Sequence, residues 1–468
     1  MRRVAALTAA FLLMGLAGCT VGPNYKRPVV NVPTTYRGEP PPGQSAAAIA
    51  ASLGDEKWWA VFQDQELQKL IRTALERNYD VRIAATRVVQ AQAQLGITRA
   101  DQFPSISSGA GISGTRSPAV PGVFNGYQYL ADTLNLSASW NLDFWGRYRR
   151  ATEAARANLL GSEWGRRAVL STVVANVAAA YFQLRELDLE LSIAQGTLAS
   201  RQQSLKLTET LANGGATSML DVRQAQQLVE TAAEAIPETE REIQTQENQI
   251  SIYLGENPAG IPRGRALTEQ PLLPSIPAGL PSSLLERRPD IRAAEQNLIA
   301  ANAEIGVARS QFFPQISLTG SGGVESIGLG NLFTLSNGVW SFAGQATQPI
   351  FEGGRLRSNL KLAEAQQQQY LLTYEQTVQQ AFRDVSNALI AYRKYREYRE
   401  HQEALTNYAQ DADKLSHTRY QGGATSYLEV LTSETNYFSA ELNLARARLN
   451  ERLSLVQIYS ALGGGWQQ

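Results

Sequence analysis

Apolar and polar residues follow two different periods along this chain. From Leu134 to Phe144 every second residue is apolar and every other one polar. A weaker alternation begins with Ile106, Ser107, Ser108 and Ile112, and Ile316–Thr319 and Trp340–Phe342 carry the same pattern later. A period of two over about eleven residues predicts strands with one face for lipid and one for water. Two such runs fall at about 104–143 and two more at about 314–351. Elsewhere the period is helical. From about 148 to 212, Leu170, Val173, Val177, Tyr181, Leu184, Leu187 and Leu191 recur at steps of three and four. Val378, Phe382, Val385, Leu389 and Tyr392 do the same further on. Each series predicts a coiled-coil-like seam, and the other faces, rich in Gln, Ala, Arg and Glu, are solvated. A helix of about 65 residues is roughly 95 Å long at 1.5 Å per residue, too long for a compact globule, so these helices lie side by side.

The chain also repeats itself. Asp80-Val81-Arg82-Ile83-Ala84-Ala85 returns as Asp290-Ile291-Arg292-Ala293-Ala294, and Phe103-Pro104-Ser105-Ile106-Ser107 as Phe313-Pro314-Gln315-Ile316-Ser317, both at an offset of 210. Gly214-Gly215-Ala216-Thr217-Ser218 returns as Gly422-Gly423-Ala424-Thr425-Ser426 at an offset of 208, with the slip placed in a loop near 116–126. One repeat covers 61–262 and the other 281–463, a Pro-rich linker at 263–280 joins them, and a tail runs from 464 to 468. Each repeat reads as a helical segment, two strands, a very long helix, a Gly-Gly turn and a second long helix. The first helical segment, about 65–102, ends at Phe103-Pro104, because proline removes the donor a helix needs. Pro237 is expected to kink the last helix of the first copy.

Composition narrows the possibilities. Lys plus Arg and Asp plus Glu number 43 each, so overall charge does not favour nucleic acid. Cys19 is the single cysteine, which excludes an internal disulfide framework or a cysteine metal site. His401 and His417 are sixteen residues apart without metal-site spacing, and a solvated or capping role is expected for both, with no metal and no cofactor. No phosphate loop, GxSxG or histidine constellation points to an enzyme. Arg2 and Arg3 precede a short apolar run, Val4 to Leu16, and then Leu16-Ala17-Gly18-Cys19. This reads as a signal peptide over 1–18, with a lipobox-like end that makes Cys19 a lipidation site. Residues 19–60 form a lipidated extension. Past residue 19 no run of eighteen apolar residues occurs, so membrane crossing requires a closed β-barrel. Four strands cannot close one. The chain must therefore oligomerise, and spacing alone allows eight strands from two copies or twelve from three. A lipid-anchored coiled-coil scaffold would share the helices but would not need alternating strands at matching places in two repeats.

Three motifs carry a resemblance. Val21-Gly22-Pro23-Asn24-Tyr25-Lys26-Arg27-Pro28, Gly279-Leu280-Pro281-Ser282-Ser283-Leu284-Leu285-Glu286-Arg287-Arg288-Pro289-Asp290-Ile291 and Arg419-Tyr420-Gln421-Gly422-Gly423-Ala424 resemble the outer membrane factor (TolC/OprM-type) family, in its NodT-type lipoprotein branch. The resemblance implies a mainly α fold with a transmembrane β-barrel. A long α-helical barrel and four β-strands per chain would close as a 12-stranded barrel in a homotrimer. It further implies an exit duct for small molecules in the outer membrane lipid of a Gram-negative bacterium, reaching into the periplasm. The duct would be served by a periplasmic adaptor (membrane fusion) protein and an inner-membrane pump of the RND type. Gly214, Gly215, Gly422 and Gly423 would form the periplasmic tip where the adaptor docks. Asp221, Tyr420 and Glu429 match positions of the family's closed aperture, where six carboxylates from three chains would favour cations. Thr425 and Thr432 stand where relatives often carry an arginine and an aspartate, so a latch built on those two is not expected here. Trp140, Trp340 and Phe342 fit the barrel's outer face or its aromatic girdle. Trp145-Gly146-Arg147 and Gly353-Gly354-Arg355 mark the bends between strand and helix.

Overall fold

The structure, a computed structural model, describes residues 20–37, 52–119, 121–122, 126–271, 279 and 281–467. Cys19, the signal peptide and part of the Pro-rich linker lie outside the described residues.

Nine α-helices and four strands are found among the described residues. The helices are α1 (Trp58–Val61), α2 (Gln65–Arg77), α3 (Tyr79–Ala100), α4 (Arg147–Asn213), α5 (Met219–Leu254), α6 (Pro281–Arg287), α7 (Pro289–Ser310), α8 (Arg355–Gln421) and α9 (Tyr427–Ala461). The strands are β1 (Ser105–Ser117), β2 (Tyr127–Leu142), β3 (Gln315–Ser326) and β4 (Gly338–Thr347). Helices α4 and α8 are each 67 residues long. The single helix expected over 65–102 is two helices. Asn78 ends α2 with a non-helical backbone, and its Oδ1 accepts from the amides of Asp80 and Val81 to start α3. A short polar side chain that competes with the backbone in this way is a cap signal. Pro289 makes the corresponding break, opening α7 directly after α6. Pro237 lies inside α5, which continues through it to Leu254.

The chain divides into two units. The first holds residues up to 29, 87–162 and 293–374. Its strands form one antiparallel sheet in the order β1-β2-β3-β4. Helix α7 packs here against α4 through Ala154, Ala157, Ala300 and Ala303, and against α8 through Ile305, Ala308 and Ala363. Side chains this small let helix backbones approach closely. Trp145, just before α4, stacks on Phe313 at 4.8 Å, and its indole N–H donates to the Pro314 carbonyl at 2.8 Å. Asp143 accepts from the Tyr148 and Arg149 amides, satisfying free donors at the start of α4. Gly146 and Gly354 have φ of +79° and +89° at the entries to α4 and α8. The N-terminal segment is held in the same unit. Arg150 donates to the carbonyls of Val21 and Gly22 and to Asn24, and Arg27 pairs with Glu295 at 3.0 Å.

The second unit holds 30–86, 163–292 and 375–468. The α4 seam is its core: Leu170, Val173, Val177, Tyr181, Leu184 and Leu187 are all buried, and Leu191 is partly so. On α8, Val378, Val385, Leu389 and Tyr392 are buried, while Phe382 is half-buried against Tyr36. Helix α4 contains a window long and apolar enough to cross a membrane by composition, but 56% of that window is buried within the protein. This is the profile of a core helix.

Candidate functional site

The sheet separates its residues by face. Partners across a ladder share a face, and neighbours along a strand alternate. The register sets Leu134 opposite Val324, Leu136 opposite Gly322 and Trp140 opposite Leu318, with Phe342 opposite Gly320 and Trp340 opposite Gly322. Ile106 and Ala110 join the same face through Ala138 and Leu134. This face is apolar and open: Leu136 is 57% exposed, Phe342 71% and Trp340 83%. The opposite face carries hydroxyls and amides that bond across the ladder. Ser107 and Ser137 lie 2.8 Å apart, as do Ser321 and Ser341, and Thr133 donates to the Gly111 carbonyl. Trp140 is the least exposed of the three aromatics at 39%, and its indole N–H donates to the Gln102 carbonyl at 3.0 Å. Strands β1 and β4 each have a partner on one side only. An apolar exposed face bounded by free edges is stable in lipid only if the edges find partners, since unpaired backbone groups there cost several kcal/mol each.

The second feature is the pair of turns joining α4 to α5 and α8 to α9. In the first, Gly215 has φ +75°, the Ala216 amide bonds the Leu211 carbonyl and the Gly215 amide the Ala212 carbonyl. In the second, Gly423 has φ +70°, and Ala424 and Gly423 bond Arg419 and Tyr420 in the same way. This is the left-handed helix ending that glycine allows at least cost. Gly214 and Gly422 precede these residues, and their amides bond the Thr210 and Thr418 carbonyls.

Asp221 lies at the first turn of α5 and forms a capping box with Ser218. Its carboxylate accepts from the Thr217 and Ser218 hydroxyls and from the Ser218 amide. Partial burial works to raise its pKa, but these hydrogen bonds outweigh it and hold the carboxyl below its ordinary value. Glu429 has the equivalent place in α9, accepts from the Thr425 hydroxyl and pairs with Arg419 at 2.9 Å. Thr425 thus serves as a local partner for Glu429. Tyr420 is buried within the chain, meets Tyr427 edge-on at 5.4 Å, and packs with Ala225 and Val430. Its hydroxyl has no hydrogen-bond partner among the described residues. Residues of α4, α5 and α9 join it in one apolar cluster.

The expectation for His417 needs correction. Its Nε2 is 3.0 Å from Glu434 Oε1 and 3.6 Å from Asp413 Oδ1, so it is a half-buried member of a carboxylate cluster, neither solvated nor capping. The Glu434 hydrogen bond raises its pKa. The sequence hint was the four-residue step from Asp413 to His417 on one helix face, but Glu434 comes from another helix. His401 is exposed.

An open sheet with one lipid-compatible face, joined to paired 67-residue helices, defines a membrane-channel fold. The family model described as "Outer membrane efflux protein" matches residues 70–256 and 280–464. The chain is 36% identical to the cation efflux system protein CusC of Escherichia coli over 457 residues, 97% of each chain. It is 38% identical to the probable efflux pump outer membrane protein TtgC of Pseudomonas putida over 471 residues, 99% of this chain and 96% of the relative. The crystal structure of the open state of the Neisseria gonorrhoeae MtrE outer membrane channel superposes with a TM-score of 0.85 at 34% identity, covering 96% of this chain and 99% of that one. The chain belongs to the outer membrane efflux protein family. It is an outer membrane efflux channel protein.

Proposed function

We propose that three copies of this chain form the exit duct of a tripartite efflux system, carrying small molecules from an inner-membrane pump of the RND type through a periplasmic adaptor and across the outer membrane. The observation that carries the reading is the four-stranded sheet with an exposed apolar face and two one-sided edge strands. Joining β1 of one copy to β4 of the next gives twelve strands in a trimer and leaves no edge in lipid. Exposed Tyr398, Leu405, Tyr408 and Leu415 on α8 support contact with a second copy in the helical region too. The two halves, 61–262 and 281–463, act as structural repeats, so three chains give the duct pseudo-sixfold symmetry. Cys19 carries acyl chains after removal of 1–18, an anchor secondary to the barrel. The turns at Gly214-Gly215 and Gly422-Gly423 form the periplasmic tip and receive the adaptor. Asp221 and Glu429 line the constriction there, each also bonded within its own turn. Tyr420 supports the constriction by packing the two helical pairs together. The duct performs no covalent chemistry and uses no cofactor.

The test is single-channel conductance of the purified protein in planar bilayers, with wild type beside Asp221→Asn plus Glu429→Gln. Wild type is expected to conduct with cation selectivity, and the double variant to lose that selectivity. An unchanged variant would remove the two carboxylates from the constriction but leave the duct. Folded, membrane-inserted protein without any channel would favour a lipid-anchored scaffold.

A further inference from the structure

One polar cluster, partly buried, lies where three helices of the second unit meet. Asp413 and His417 come from α8, Glu434 and Glu441 from α9, and Arg201 from α4. Asp413 and His417 are one helical turn apart, so their side chains leave α8 on the same face. Glu434 reaches them from α9 and is only 6% exposed. One donor atom from each of Asp413, His417 and Glu434 lies within 4.8 Å of those from the other two. Asp413 Oδ1 and Glu434 Oε2 are buried and accept no hydrogen bond among the described residues. Such orphaned acceptors are uncommon and call for a physical reason.

Charge sharpens the question. Arg201 is buried, its Nη1 donates to the Leu228 carbonyl at 2.8 Å, and its guanidinium lies over the Phe438 ring. Its Nε is 3.9 Å from Glu434 Oε2, too far for a hydrogen bond. Asp413, Glu434 and Glu441 border one cavity of about 390 Å³ together with Arg201. With His417 neutral, these three carboxylates outnumber the one guanidinium by two charges. Burial first, and then the charge of a neighbouring carboxylate, raises the pKa of both Asp413 and Glu441.

We propose that Asp413, His417 and Glu434 bind a divalent transition-metal ion of zinc-like preference, bracing α8 against α9. One imidazole nitrogen and two carboxylate oxygens form a donor set suited to zinc and its neighbours. Bonds of about 2.0–2.2 Å at tetrahedral angles set donor atoms roughly 3.4 Å apart. His417 Nε2 has its two carboxylate neighbours at 3.0 and 3.6 Å. A double positive charge also balances the carboxylate excess while Arg201 stays in place. The cavity that Asp413 and Glu434 border leaves room for water as the fourth ligand. The brace spans the helical pair that ends at Gly422-Gly423, so an ion there would resist separation of α8 from α9 close to that turn.

The experiment is equilibrium titration of the full-length protein in detergent with zinc chloride against a chromogenic chelator, after exhaustive chelation, with a melting curve at each point. Wild type is expected to bind one zinc per chain and to melt at a higher temperature when loaded. His417→Gln and Asp413→Asn should each weaken binding by roughly tenfold or more and lose the shift in melting temperature. His401→Gln, at the other histidine, should change neither. If His417→Gln does not assemble, Asp413→Asn decides alone. Two results would overturn the proposal. Wild type without stoichiometric zinc would mean that an imidazolium bridging the two carboxylates is the resting arrangement. Equal binding by wild type and both variants would put the zinc elsewhere.

Discussion

The Tyr181 hydroxyl donates to the Asp64 carboxylate at 3.1 Å, tying the start of α2 to α4. Asp64 is 1% exposed and serves three elements at once. Oδ1 accepts from the amides of Glu66 and Leu67 as the cap of α2, and Oδ2 also accepts from the Arg265 amide and the Gln270 side chain. The Tyr181 oxygen in turn accepts from the Gly264 amide. The start of the segment joining the two halves is therefore fastened to the α4 core by one carboxylate. Burial acts to raise the Asp64 pKa, yet the hydrogen bonds from Gln270, Leu67, Arg265 and Tyr181 together hold it below the ordinary value.

Replacing Asp64 with Asn presents an NH₂ group to a ring of donors, and the expected cost is about 2–4 kcal/mol. A carboxyl with a depressed folded pKa gives stability that is fully present above its unfolded value of about 3.9 and is lost as pH falls through the folded value. Melting curves recorded from neutral to acid pH should thus show wild type losing stability below about pH 4. The variant should start lower and lose less over that window. Parallel curves would mean that Asp64 does not carry this part of the acid response.

The sheet faces predict an asymmetry between adjacent residues. Leu136→Lys puts an ammonium on the apolar face and is expected to cost about 2–4 kcal/mol if it lies near the bilayer midplane. Asn135→Lys, on the hydroxyl-bearing face of the same strand, should insert normally. Assembly into liposomes, followed by protection from protease, separates the two. Equal insertion would mean that the face assignment is reversed or that the strand lies outside the lipid.

Tyr420→Phe removes a buried hydroxyl that has no partner among the described residues. Such a deletion is expected to leave melting unchanged or raise it slightly, because no hydrogen bond is lost. A clear loss of stability or a jump in conductance would show instead that the hydroxyl finds its partner in a neighbouring copy.

Cys19→Ser is expected to abolish fatty-acid labelling while the protein stays in the membrane through alkaline carbonate extraction. A barrel is held by its whole apolar band, whereas acyl chains alone give weaker anchoring. Release of the variant into the soluble fraction would overturn the barrel as the principal anchor.

How much of this was legible in advance follows from the range of each signal. Local patterns were readable. The alternation around Leu134–Phe144 marked β2, the seam from Leu170 to Leu187 marked the buried side of α4, and the paired glycines marked both helical turns. The break at Asn78 was missed because asparagine is an ordinary residue in sequence and becomes a stop only when its side chain takes over two backbone amides. Tyr420 matches the family's closed aperture by resemblance, and the packing of Ala225, Tyr427 and Val430 around it becomes visible only in the fold. His417 reads as solvated or capping because Glu434, which lies against it, comes from the next helix.

By itself the sequence determined which segments are helices and strands, which side of each is apolar, and that four strands per chain need partners from other chains. Those properties depend on spacings of two, three and four residues, which a single chain displays directly. The tertiary structure decided that β2 pairs with β3 across the two halves, that Asp64 collects its donors from residues as distant as Gln270, and that Asp413 and Glu434 meet at His417. Each of these depends on groups far apart in the chain, brought together by the burial of faces whose partners no local period can name.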